Sequence, residues 1–343
     1  MSDIAKWKLH GAVQTLRTEL ATWDLDQKDW QSAQGFSLIS FHSDGTLNSQ
    51  EIHNPDGSIT NSRWHYGDTH RLTESISWSN DGPIGRTVYL YDEARRHIKT
   101  THLGHDGTQT DSETCTYDGD GKRTKICFFG LHEGTVFYGI EGTDHSYGAP
   151  GATMMTTIYD EKNLPAKVLL QDANHAPLMD VIFVRDSAGK LLKEESHIGG
   201  EPMYRDLLDK VPPKDREGLV ATLKKAFGET FSSTTYVYDA HGRLVERMNR
   251  MGKVGESRMT YHYDDHDNPI EETTEDRNRE TRDDENGTTQ YTSDRLTVQH
   301  NRLEYLYDAH GNWTERIVSI RPEPDPLFQR SNIERRVITY HAA

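Results

Sequence analysis

The sequence predicts an all-β protein, in which repeated antiparallel β-hairpins form a curved sheet or barrel-like body and one amphipathic helix is inserted at about residues 214–227. Three observations predict it. The phrase "YVYDAHGRLVER" from Tyr236 returns almost unchanged as "YLYDAHGNWTER" from Tyr305. Looser copies of the same pattern begin at Trp64, Tyr89, Cys115, Thr157, Phe183 and Tyr261. Composition agrees: only 33% of residues are hydrophobic, while Tyr (16), Trp (6) and Gly (27) supply aromatic surface and turns, a balance that suits broad sheets with one wet face.

Each copy reads as a hairpin. Tyr-x-Tyr is a strand of period two, Asp opens the turn by accepting backbone N–H bonds, Gly takes a position that tolerates positive φ, and a second strand leaves. A four-residue loop places Tyr238 opposite Arg243, Val237 opposite Leu244 and Thr235 opposite Glu246. The same geometry at "YDGDGK" sets Cys115 opposite Thr124 and leaves Cys127 diagonal to it, so two free thiols and a disulfide both remain open. A pattern repeated this often is punctuation of a scaffold, not a set of active sites.

One segment departs from the hairpin grammar. In "PPKDREGLVATLKKAFGE", Pro213 precedes Leu219, Leu223 and Ala226 or Phe227 at helical spacing, with acids early, lysines late and Gly228 as a stop. The chain is therefore expected to be a single β domain over 1–343 with a helical insertion at 201–228, which covers the sheet or acts as a lid. Two polar stretches, from Thr273 and from Arg321, read as long loops or extended hairpin tips.

The repeated "YDAHGRL", "YDAHGNW" and "VRDSAGKL" resemble the YD repeats of the Rhs (rearrangement hotspot) family. The resemblance implies a long antiparallel sheet of successive hairpins, which in large members spirals into a shell around a cargo domain. About eight hairpins are too few to enclose a protein domain, so a small curved or closed body is expected here. Repeat scaffolds host many roles, and the motif does not specify an activity.

Function is then sought where the copies differ. The slot between the two aromatics holds Leu90, Thr116, Ile158, Val184, Val237 and Leu306, with His65 and His262 in two copies; its mostly apolar character predicts a buried face. Glu74, Glu246, Glu271 and Glu315 fall four residues after the glycine position, and Arg63 and Glu304 fall at matching places on incoming strands. With that face turned inward, Glu246, Glu271, Glu304 and Glu315 form a carboxylate belt, with Trp313, His65, His262 and Arg63 as binding residues. With it turned outward, they are solvated strand residues paired to arginine or lysine.

Two function classes follow. A binding or structural protein presents this acidic and aromatic concave face to a carbohydrate or protein partner. A hydrolase, most plausibly a glycoside hydrolase with the glutamates as acid and base and metal assistance as an option, is the alternative. No cofactor and no metal site are expected, since none of the usual catalytic or metal signatures occurs. The net charge of −16 argues against nucleic acid. No stretch reads as a membrane-spanning helix and the N-terminus carries no apolar leader, so the chain reads as soluble; a secreted or periplasmic origin stays open, because a chain stripped of its leader reads the same way.

Overall fold

The computed structural model describes residues 3–33, 35–130, 138–139, 146–147, 151–198, 211–214, 216, 218, 230–252, 255–283 and 289–342. Twenty antiparallel strands close into a barrel, each paired to its neighbour in sequence, and the short strand Asp29–Trp30 adds a side pairing to the first of them. Closure comes from the two chain ends. Val13–Asp24 pairs on one side with Phe36–Phe41 and on the other with the last strand, Gln329–Tyr340, setting Leu16 opposite both Ile39 and Ile338. Of the two expected shapes the closed one is found, and each barrel strand therefore has a partner on both sides.

The hairpin turns are one residue tighter than a four-residue loop. Asp239 N–H bonds to the Arg243 carbonyl and Gly242 N–H to the Asp239 carbonyl, at 2.9 and 3.0 Å. Three residues thus form the loop, with Gly242 at φ +84°, and the outgoing strand then carries one extra residue. Tyr238 lies opposite Leu244, and Val237 opposite Glu246, which corrects the expected register. Equivalent glycine slots hold His70, Arg95 and Asn163, which also take positive φ, so turn geometry overrides residue type there.

The bulge recurs in the hairpin of the two cysteines. Cys115 lies opposite Ile126, not Thr124, while Cys127 lies opposite Thr114. Residues 115 and 127 therefore point to opposite faces of the sheet, and both are free thiols.

The tyrosines, not the residues between them, are buried. Tyr236 is 7% exposed, whereas Val237 is 49% and Leu306 60% exposed, and Leu90, Ile158 and Val184 are exposed as well. Curvature crowds side chains on the concave side of a barrel and spreads them on the convex side, so the tyrosine face is the interior. The expectation that the slot between the aromatics is buried is overturned by the bulge and the closure together. One apolar cluster on the interior face joins Met155, Val168, Leu170, Met179, Val181 and Phe183. A second packs the N-terminal Ile4 and Leu9 against Val13, Leu16, Ile39 and Phe41.

Successive hairpins are tied by the second tyrosine of the phrase. Tyr91, Tyr117, Tyr238 and Tyr263 donate their hydroxyls to the carbonyls of Leu72, His97, Leu191 and Leu244 in the preceding hairpin, at 2.6–2.9 Å. Replacing Tyr263 with Phe removes one such bond and leaves the Leu244 carbonyl short of a donor. The expected cost is about 1 kcal/mol, read as a lower urea midpoint at unchanged m-value.

Of the predicted helix at 214–227, Lys214, Arg216 and Gly218 are helical, and the rest lies outside the described residues. Of the two readings of the polar stretch from Thr273, the extended hairpin is found: residues 273–283 belong to the long hairpin of Pro269–Asp283 and Thr289–Tyr307.

Candidate functional site

The glutamates of the predicted belt lie on the outer face of the barrel. Direct register partners on that face are Val237 and Glu246, His262 and Glu271, Leu306 and Glu315, and His65 and Glu74. Glu304, opposite Ile317, shares the parity of Leu306, and Arg63 shares that of His65, so both are outward too. Trp313 alone of the predicted residues faces inward, opposite Tyr307. The sheet thus separates Trp313 from the predicted carboxylates, and these residues do not come together in one concave site.

The same slot in the intervening hairpins holds lysine. Leu90 pairs with Lys99, Thr116 with Lys125, Ile158 with Lys167 and Val184 with Lys193. Around the barrel the ring therefore divides: four consecutive hairpins carry lysine, and most of the remaining circumference carries glutamate. Two hydroxyl pairs, Thr15 with Thr339 and Ser40 with Ser49, interrupt the acidic arc, bonded at 2.6 and 2.7 Å. The lysines were missed by sequence reasoning that followed only the glutamates, although the signal is the same spacing, four residues after the glycine position.

Each acidic position has a cationic neighbour at hand. Arg258 bonds Glu246 at 2.7 Å, Arg335 lies 3.4 Å from Glu315, Arg86 pairs with Glu74, and Arg302 stands opposite Glu271. On the basic arc Lys167 reaches Asp180 at 2.7 Å and Lys193 reaches Glu195 at 2.6 Å. These are partly exposed pairs that order the ring more than they stabilise it.

Trp313 is covered. The Arg336 guanidinium stacks 3.3 Å from its ring centroid, and Tyr305 meets it edge-on at 6.2 Å. Burial pulls the Arg336 guanidinium down to about 10, with Glu334 opposing the shift. Elsewhere, a surface cleft of about 510 Å³ at the YD-turn end takes in Arg63 and His65 beside His42, Asp44, Tyr66 and His70.

The family model for the RHS Repeat matches residues 238–279. No curated protein matches the chain. Among solved structures, a porin-like protein from Bacteroides uniformis overlaps 96% of this chain and 99% of its own at 10% identity and a TM-score of 0.33. A porin-like protein from Bacteroides vulgatus overlaps 95% and 98% at 12% identity and 0.29. The Tc holotoxin pore of Photorhabdus luminescens overlaps 86% of this chain and 19% of its own at 14% identity and 0.17. Overlaps of this quality carry no functional argument. The matched segment contains two full turns of the phrase, and the same bulged register recurs in the hairpins on either side; residues 238–279 are an RHS repeat.

Proposed function

We propose that the protein is a non-catalytic RHS-repeat scaffold that binds a protein partner through the outer ring of its barrel. The observation that carries this reading is the divided ring, in which exposed Leu90, Ile158 and Val184 stand beside lysines, and exposed Val237 and Leu306 stand beside glutamates. Apolar contact area next to charges of fixed sign is what a protein surface recognises: the first supplies burial, the second orientation and association rate.

A carbohydrate partner fits less well. Sugar faces stack on open aromatic rings, the ring of register pairs offers none, and Trp313 lies beneath Arg336. A glycosidase reading lacks support for a related reason. Glu246 and Glu315 are taken up in ion pairs with Arg258 and Arg335 on the outer face, with Trp313 on the opposite side of the sheet. Nor does the outer face suit lipid, because a basic residue at the bilayer midplane costs about 2–4 kcal/mol and charges recur along the height of this face, from Lys99 and Lys193 to Arg258 and Arg302.

Site-specific photo-crosslinkers at Leu90, Val237 and Leu306, with Ile126 as an interior control, are expected to capture one protein from the source cells at the outer positions alone. Capture is expected to weaken at high ionic strength and in the joint variant Lys99→Glu, Lys125→Glu, Lys167→Glu, Lys193→Glu. Glycan binding or turnover of chromogenic glycosides with no outer crosslink overturns the proposal.

A further inference from the structure

On the interior face, three side chains from neighbouring strands converge where the hairpin Gly82–Tyr91 and His97–Gly104 meets the strand Gln109–Tyr117. His97 Nδ1 lies 3.5 Å from Cys115 Sγ, Cys115 Sγ lies 3.9 Å from Glu113 Oε1, and His97 Nδ1 lies 4.0 Å from the same oxygen. We propose that His97, Glu113 and Cys115 form a site for a borderline divalent metal ion of the zinc class, with its remaining coordination position open to the barrel interior.

Distances support it first. Tetrahedral Zn²⁺, with Zn–S about 2.3 Å and Zn–N or Zn–O about 2.0–2.1 Å, holds its ligand atoms about 3.3–3.6 Å apart. The His97–Cys115 separation matches that triangle, and the two to Glu113 exceed it by about 0.3–0.7 Å, within the reach of side-chain rotation. An imidazole, a thiolate and a carboxylate are also the donor types such an ion takes, and the thiolate sets it apart from magnesium or calcium.

The surroundings support it second. His97 Nε2 is 2.8 Å from Thr100 Oγ1. With Nε2 protonated and donating to that hydroxyl, Nδ1 keeps its lone pair directed at Cys115 and Glu113, the outer-shell arrangement that orients a metal-binding imidazole. Residues three apart on a regular strand point to opposite faces. Here the bulge at residue 98, which pairs Tyr91 with His97 but Leu90 with Lys99, puts His97 and Thr100 on the same face. The Tyr117 hydroxyl holds the His97 carbonyl at 2.7 Å, and the Tyr91 ring stands 5.7 Å from the imidazole. Cys115 is 8% exposed, so its sulfur offers a largely enclosed ligand position.

The site departs from the sequence-level expectation of no metal. In the hairpin register the other phrases place leucine (Leu72, Leu191, Leu244), proline (Pro165, Pro269), Arg123 or Trp313 where His97 stands, so this hairpin alone of that set has a metal-binding side chain at the slot.

Cobalt(II) titration of the purified full chain reads the site without reference to activity. One equivalent is expected to produce a sulfur-to-cobalt charge-transfer band, displaced by zinc. Cys127→Ser is expected to keep the band, Cys115→Ser to lose it, and His97→Ala and Glu113→Gln to weaken affinity at least tenfold. Absence of the band in the wild-type chain, or its survival unchanged in Cys115→Ser, overturns the proposal. X-ray absorption of the zinc-loaded wild-type protein reads the same site with no variant needed: one sulfur with nitrogen and oxygen neighbours supports it, and a shell of nitrogen and oxygen alone overturns it.

Discussion

Acidification is expected to unfold the barrel cooperatively below about pH 4, through the aspartates that open its turns. The Arg96 backbone N–H, 2.7 Å from Asp92, holds that carboxyl below the usual aspartate range, and the Arg96 side chain adds a second bond. The Thr46 and Thr108 hydroxyls do the same for Asp44 and Asp106, and Ser58 for Asp56. At Asp239, Asp264 and Asp308 desolvation pushes upward and is outweighed by hydrogen bonds: from Arg243 at Asp239, from the Tyr307 hydroxyl at Asp264, and from the Tyr340 hydroxyl at Asp308.

The sign follows from the direction of these shifts. A carboxyl with a depressed folded-state pKa adds stability above its unfolded value of about 3.9, and that contribution disappears as pH falls through the folded value. Many turns share the chemistry, so the losses accumulate over one narrow window while each remains small. Tyrosine fluorescence and near-ultraviolet circular dichroism from pH 7 to 2.5 are expected to show a single transition. Asp308→Asn is expected to destabilise the protein at pH 7 and to flatten its acid dependence. A stability that is level between pH 5 and 2.5 contradicts this account.

Asn312→Ala is expected to cost about 2–4 kcal/mol, because this buried side chain joins the two chain ends at the barrel seam. Asn312 is 2% exposed. Its Oδ1 accepts the His10 N–H at 2.7 Å, and its Nδ2 donates to the His10 carbonyl at 2.9 Å and to the Tyr340 hydroxyl at 2.8 Å. Tyr340 in turn donates to Asp308. Alanine removes all three side-chain bonds and leaves the His10 N–H and carbonyl and the Tyr340 hydroxyl without this partner. Asn268 occupies the equivalent slot one phrase earlier and makes a single such bond, to Tyr307 at 2.9 Å. Asn268→Ala is therefore expected to cost about 1 kcal/mol. Equal urea midpoints for the two variants contradict a special role for the seam.

The hairpin repeat is legible in the sequence because it is local. Tyr-x-Tyr-Asp and a glycine at fixed offset specify a strand, a turn and a strand from backbone chemistry within a dozen residues. The register differs from expectation by one residue at the turn and by two beyond the bulge, in hairpin after hairpin, because a three-residue loop with a following bulge and a four-residue loop share the same letters. That slip decides more than the turn. It moves Glu246 from opposite Thr235 to opposite Val237, and Cys115 from opposite Thr124 to opposite Ile126. His97, Glu113 and Cys115 are out of reach of sequence reasoning for the same reason, since the bulge between Tyr91 and Lys99 brings them to one face.

By itself the sequence determined the all-β class, the hairpin unit, the turn chemistry of its aspartates and the resemblance to RHS repeats. Tertiary structure alone decided that the sheet closes, that the tyrosines face inward and the glutamates outward, and that lysines complete the ring. The physical reason is that side-chain direction alternates with every residue, so each bulge reassigns a face. Which face is concave depends on the pairing of Val13–Asp24 with Gln329–Tyr340, strands more than 300 residues apart in the chain.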